Sequence, residues 1–261
     1  MWKQGAGMTD MPIIFSAPMV QALIDGHKAQ TRRVLKAPRD KDGCRVDIGS
    51  APDARLVIGS DGRQYVQFEH PMGGPLTAIL APYAIGDRLW VRETWGVGIS
   101  DHGDCPRYKA TLDYQCGDKI KSPHEGPFKW RSPMFMPRRF SRLTLYIADV
   151  RVQRLHEISE VDARQEGAAS RNGVYKSPDW SMNWGEIGKY SRHLGRALEQ
   201  HDIALGSPRW AFASYWNDIH GAEAWYENPW VCALTFSVKR GNIDDCRCKS
   251  VDQQPSCETL P

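Results

Sequence analysis

Two groups of basic side chains and two isolated carboxylates have the types and spacing to do chemistry. His27, Lys28, Arg32 and Arg33 gather in one short polar stretch; Arg131, Arg138, Arg139 and Arg142 form a second group with Trp130, Phe135 and Phe140 interleaved. Guanidinium groups hold phosphates while aromatic rings stack on bases, so the mixture suits nucleic acid; a solvated basic surface is the plainer reading of such runs. Glu166 ends a helix-like run, where its negative charge opposes the helix dipole unless something else holds it. Glu93 follows a strand-like run beside Arg92, a position that suits either a pocket-facing carboxylate or an ion-pair partner.

Other chemistries lack their signatures. His102, His124, His156, His193, His201 and His220 show no ligand spacing, and the chain has no Gly-rich phosphate loop of the P-loop or dinucleotide type. Seven cysteines, an odd number, do not make a disulfide framework, and Cys246 and Cys248 are too closely spaced for a zinc knuckle, with Cys257 nearby and no histidine joining them. Reduced thiols, no metal and no cofactor are the expectation. Trp210, Trp216, Trp225 and Trp230 fall at helical and strand spacing, which reads as core more than as a base-stacking platform.

With 41% hydrophobic and 25% charged residues in 261, and a net charge of +3, the chain has the usage of an ordinary folded domain. So small a net charge does not by itself require a nucleic-acid partner. No apolar signal segment opens the chain and no uncharged stretch reaches the ~18 residues of a membrane span, which predicts a cytoplasmic protein with no membrane partner.

The elements that would position these residues follow from pattern. Ser16 with Pro18 starts a helix carrying Met19, Val20, Leu23 and Ile24 on one face, and Gly26 stops it. The basic loop then heads into a strand. Val57–Ile58 and Tyr65–Phe68 predict a hairpin around Ser60-Asp61-Gly62, and the alternation after Gly86-Asp87 predicts a half-buried strand from Arg88. Residues 141–147 and 150–155 predict two adjacent barrel strands. Ser159 caps a helix, with Asp162 placed as in a capping box, and Gly167 ends it. Pro208 opens a helix with the apolar stripe Phe212, Tyr215, Trp216 and Ile219, and Trp230–Val238 is a closing strand. Residues 1–11 read as a flexible extension, 12–240 as one domain with insertions near 36–84, 96–137 and 168–207, the last with a short helix over Ser191–His201, and 241–261 as a polar tail.

The order of these elements, with Gly26, Lys28, Thr31 and Arg33 in the loop, Gly86, Asp87, Leu89 and Val91 in the strand, and Glu160, Ala163 and Glu166 in the helix, resembles the ASCH family of PUA-like barrels. The likeness covers residues 12–35, 84–95, 138–167 and 208–240, and the ending Asn228-Pro229-Trp230 resembles long members from phage and prophage genomes. It implies an α+β fold built on a small PUA-like mixed barrel with flanking helices and long insertions. One bacterial branch of the family hydrolyses acetylcytidine with a Lys, a Thr three positions later and a Glu ending the helix. Carried onto this chain, the resemblance implies Lys28 as general base, Thr31 as nucleophile and Glu166 as proton donor to the departing amine; the basic clusters and the position of Glu93 add His27, Arg32, Arg33, Glu93, Arg138 and Arg142 as expected substrate or nucleic-acid contacts.

General chemistry agrees with these roles. A threonine hydroxyl needs a neighbouring base, a lysine serves if burial and Arg32 or Arg33 lower its pKa, and burial at an adverse helix end keeps a carboxyl protonated. Three readings stay open at this point: a hydrolase acting on a modified nucleoside, an RNA- or DNA-binding module without catalysis, and a ribonuclease in which Lys28 and an arginine stabilise phosphate charge.

Overall fold

The expected break between residues 147 and 150 does not occur. Ile147 and Val150 are both buried, so the phase of burial slips across Ala148 and Asp149 while the backbone stays extended, and one twelve-residue strand, Leu143–Arg154, replaces the expected pair. The computed structural model describes residues 8–100, 103–111, 129–167, 169–171, 174–176 and 208–245. In chain order these form β1 (Asp10–Ile14), α1 (Ala17–Ile24), β2 (Gln30–Val34), β3 (Ala54–Ile58), β4 (Gln64–Glu69), β5 (Pro75–Leu80), β6 (Arg88–Arg92), β7 (Trp95–Ser100), β8 (Gly103–Tyr108), β9 (Leu143–Arg154), α2 (Glu160–Gln165), β10 (Ala169–Arg171), β11 (Val174–Lys176), α3 (Pro208–His220) and β12 (Trp230–Arg240). The fold class is α+β with strands predominating. No helix among the described residues is long and apolar enough to cross a membrane.

The chain divides into two compact units, one of Met1–Thr9, Lys28–Asp87 and Ile147–Phe236, the other of Asp10–His27, Arg88–Tyr146 and Ser237–Pro261. In the first unit β2 pairs antiparallel with β12, Thr31 opposite Leu234 and Arg33 opposite Cys232. The bonds Leu35 N to Trp230 O (2.9 Å) and Phe236 N to Ala29 O (3.0 Å) extend that ladder at both ends. Val231, Cys232, Ala233 and Leu234 are all buried, the apolar run expected of a strand covered on both faces. Leu155, Ile158, Ala163, Phe212, Trp216 and Trp225 pack with Val231 in one core cluster. Trp230 is buried as well, with Trp210 partly so, and the tryptophans are core, as their spacing implied. Ile219 leaves the predicted apolar stripe and is exposed near the end of α3. The hairpin within 36–84 is present as β3 and β4 with Val57 opposite Tyr65, and β5 adds a third strand to it.

In the second unit β1 runs parallel to β6, and β6 antiparallel to the first residues of β9. Gly26, at φ +74°, supplies the left-handed turn that ends α1. The described residues of 96–137, read from sequence as a loop, include the β7–β8 hairpin and a 3-10 turn over Pro133–Phe135. The charges masked a hairpin whose apolar anchors, Trp95, Tyr108 and Met136, form a small core of their own. Both expected termini are also shorter. Asp10 already belongs to β1 and ion-pairs with Arg88 and Arg138, while Asn242 donates to the carbonyls of Arg138 and Ser141 and Ile243 is fully buried. The predicted helix over Ser191–His201 lies outside the described residues.

Candidate functional site

The first turn of chain before β2 and the last turn of α2 are stitched together by the bond from Ala29 N to Gln165 O at 2.8 Å. That stitch brings three of the expected side chains into contact. Lys28 Nζ donates to Glu166 Oε2 at 2.7 Å and to the Glu166 carbonyl at 2.8 Å, and Arg32 Nη1 donates to Glu166 Oε1 at 3.0 Å. Only 1% of Lys28, 4% of Arg32 and 1% of Glu166 is exposed, so these charges interact in a low-dielectric interior. The helix end that is adverse for a carboxylate is tolerated because a lysine and an arginine meet it there.

Burial pushes the Lys28 amine below the ordinary lysine range; the Glu166 carboxylate works in the opposite direction, and Arg33 and Arg32 add to the lowering. The neighbouring arginines therefore act as the sequence implied, but desolvation is the larger cause.

Thr31 is also buried, on β2 between Gln30 and Arg32. Strand alternation turns its side chain to the face opposite theirs, and no hydrogen bond joins its hydroxyl to Lys28 or Glu166 among the described residues. Arg33 is half-buried further along the same strand, and His27 is exposed in the turn after α1.

Three participants are legible only in the fold. Asp162 accepts Arg32 Nη2 at 3.1 Å, Gln30 Nε2 at 3.0 Å and Arg151 Nη2 at 3.1 Å, and so holds the guanidinium that holds Glu166. Burial works to raise the Asp162 pKa, yet its bonds to Arg151 and Gln30 and the charges of Arg151 and Arg32 outweigh it and keep the carboxylate below its usual range. The available signal was spacing: Gln30 and Arg32 share one face of a strand, and Asp162 and Glu166 share one face of a helix.

The remaining expected contacts lie in the second unit. Arg142 grips Glu93 with two bonds, Nε to Oε1 at 2.8 Å and Nη2 to Oε2 at 2.9 Å, while its guanidinium lies 4.1 Å from the Tyr108 ring centre. The partner of Glu93 is thus Arg142, not its neighbour Arg92, which stacks over Trp90. Burial raises the Glu93 pKa and Arg142 opposes the rise. Arg138 is shared by Asp10 and Asp244 at 2.6 and 2.7 Å. Two of the arginines expected to meet phosphate are therefore already on carboxylates. Arg131 and Arg139 lie over Trp95 and Phe140.

No group of three or more His, Cys, Asp or Glu side chains is arranged to hold a metal among the described residues. Comparison with protein-family models, with curated proteins and with solved structures finds no match to this chain.

Proposed function

We propose that this chain is an ASCH-type, PUA-like hydrolase that cleaves an acetylcytidine-like amide on a modified nucleoside or base. The observation that carries the reading is the buried 2.7 Å contact between Lys28 Nζ and Glu166 Oε2. An ammonium on a carboxylate holds the same number of protons as a neutral amine beside a carboxylic acid, and one proton shift across that contact converts the first into the second. The second form is the one amide hydrolysis needs, and burial, which lowers the Lys28 pKa, eases loss of the proton from the amine.

The role that the family resemblance gives Thr31 needs its hydroxyl at Lys28, whereas alternation along β2 turns it to the face opposite Arg32 and no bond joins the two among the described residues. In that role, neutral Lys28 takes the hydroxyl proton of Thr31 in the first half-reaction as that oxygen attacks the acetyl carbon. The carbon–nitrogen bond breaks, its electron pair leaves on the cytosine amine, and the amine takes the proton from Glu166. Transfer from Lys28 to Glu166 restores both groups. Water then attacks the acetyl-threonine ester, Lys28 takes the water's proton, and Glu166 returns one to Thr31, releasing acetate. Arg32 holds the carboxyl in place, with Asp162 behind it. The family resemblance supplies Thr31 as nucleophile; the lysine–glutamate contact supports the acid and base.

The ion pairs of Arg138 and Arg142 take those two out of the cations that a nucleic-acid-binding module would present to phosphate. The test is release of cytidine from acetylcytidine by the purified full chain, with Lys28→Ala and Thr31→Ala alongside. Release lost in both variants is the expected result. Release that survives Thr31→Ala assigns the attack to water activated by Lys28, and a folded protein that releases nothing leaves the cluster as a tether between α2 and β2.

A further inference from the structure

We propose that a concavity beyond the outer end of β2 binds the phosphate group of a nucleotide-sized ligand. Its volume is about 620 Å³ and four cationic side chains line it: Lys36, Arg39, Arg45 and Arg154. Glu227 is the one carboxylate in the lining. None of the four cations is in an ion pair among the described residues, whereas Arg32, Arg88, Arg138, Arg142 and Arg151 each lie on a carboxylate. Four positive groups around one hollow with a single carboxylate leave an excess of positive charge there, and an anion relieves it.

Arg154 gives the hollow a fixed point. Its guanidinium donates to the carbonyls of Asn228 (3.2 Å), Gly49 (2.6 Å) and Ala51 (2.8 Å) and lies over the Trp230 ring at 4.4 Å. Those acceptors are neutral, so the position is held and the charge is not cancelled; Asp47 and Glu157 act on it only at longer range. Lys36, Arg39 and Arg45 are exposed around it, with Arg39 steadied by a 2.6 Å bond to the Gly43 carbonyl.

Size and chemistry narrow the ligand. Small-molecule sites run from about 300 to 1,000 Å³, so this one is roomier than a bare phosphate requires. Val34, Ile48 and Pro229 add apolar surface to the same lining. A phosphate ester with a flat, weakly polar body meets both demands, which describes a nucleotide, either free or as one residue of a single strand. The site shares no side chain with the Lys28 cluster and stands independently of the hydrolase reading.

The test is titration calorimetry on the full chain at low salt, with cytidine 5′-monophosphate, cytidine and a short single-stranded oligocytidylate. The expected result is that the monophosphate binds at least tenfold more tightly than cytidine, that Lys36→Glu with Arg45→Glu weakens it at least tenfold, and that Lys109→Glu, an exposed charge reversal outside the lining, leaves it unchanged. Lys36 and Arg45 are exposed and hold no described side-chain bond, so the reversals are compatible with folding. Lys36→Gln with Arg45→Gln gives the same direction with a smaller drop. An oligocytidylate at least tenfold tighter than the monophosphate identifies a strand as the source, and equal affinity identifies the free nucleotide. Equal binding of cytidine and its monophosphate, no binding of either, or binding unchanged in both double variants overturns the proposal.

Discussion

Replacing Glu166 by glutamine keeps the shape of the side chain and removes its charge. In the native cluster both carboxylate oxygens are acceptors, Oε2 for Lys28 and Oε1 for Arg32. An amide offers one acceptor and one NH₂, so one of the two cationic donors meets another donor, and neither buried cation keeps its counter-charge. Removing one partner of a buried pair costs about 3–5 kcal/mol. At ~2–4 °C per kcal/mol for a chain of this size, that is a melting temperature lower by about 10 °C. The deficit depends on pH. The folded-state pKa of Lys28 is already below the ordinary 10.5, with burial pressing it down and Glu166 pressing it up. Loss of Glu166 lowers it further. Between that depressed value and 10.5 the unfolded chain binds more protons than the folded one, so stability rises with pH across the window. The window opens lower in Glu166→Gln than in the parent, and the deficit narrows on going from about pH 7 to about pH 9.5. Thermal melts followed by circular dichroism at the two pH values make the check. A variant that melts within about 2 °C of the parent at pH 7, or one whose deficit is the same at both, refutes the account of the cluster.

Arg142→Leu leaves the buried Glu93 carboxylate without its two-bond partner and destabilises the protein by about 3–5 kcal/mol near neutrality. Burial already raises the Glu93 pKa, so stability is lost as pH rises through it; the variant regains part of its melting temperature on acidification to about pH 5, where an unchanged deficit counts against the argument. Burial disfavours the charged form of Asp10, but bonds to Arg88 and Arg138 outweigh it and lower its pKa. Asp10→Asn therefore costs stability that the parent holds above 3.8 and loses as pH falls further, and denaturant melts of the two proteins converge at low pH. Cys232 is fully buried and burial pushes its thiol up to about 12, while Cys44 is exposed. Iodoacetamide on the native protein followed by peptide mass mapping marks Cys44 and spares Cys232, and native labelling of Cys232 contradicts the burial.

Local physics wrote much of this molecule into its sequence. The turn after α1, the Ser159 cap of α2 and the buried aromatics of α3 each follow from a few neighbouring residues, and those readings match the structure; β6 lies where expected, but it is buried continuously from Arg88 to Val91 and not half-buried by alternation. Where the reading depended on a local absence, it failed. The two strands expected over 141–147 and 150–155 are one continuous β9, and polar residues around Trp95 and Tyr108 hid a hairpin whose stability comes from packing on Met136. The α+β class and the pairing of a basic loop with a carboxylate-bearing helix were visible in the sequence. Whether Lys28 touched Glu166 was not, because the two lie 138 positions apart and only the fold sets the distance between them. Tertiary structure alone also decided which arginines keep their charge. Arg32, Arg138 and Arg142 end on carboxylates brought in from distant segments, while Lys36, Arg39, Arg45 and Arg154 do not, and a sequence carries no record of that difference until the chain is packed.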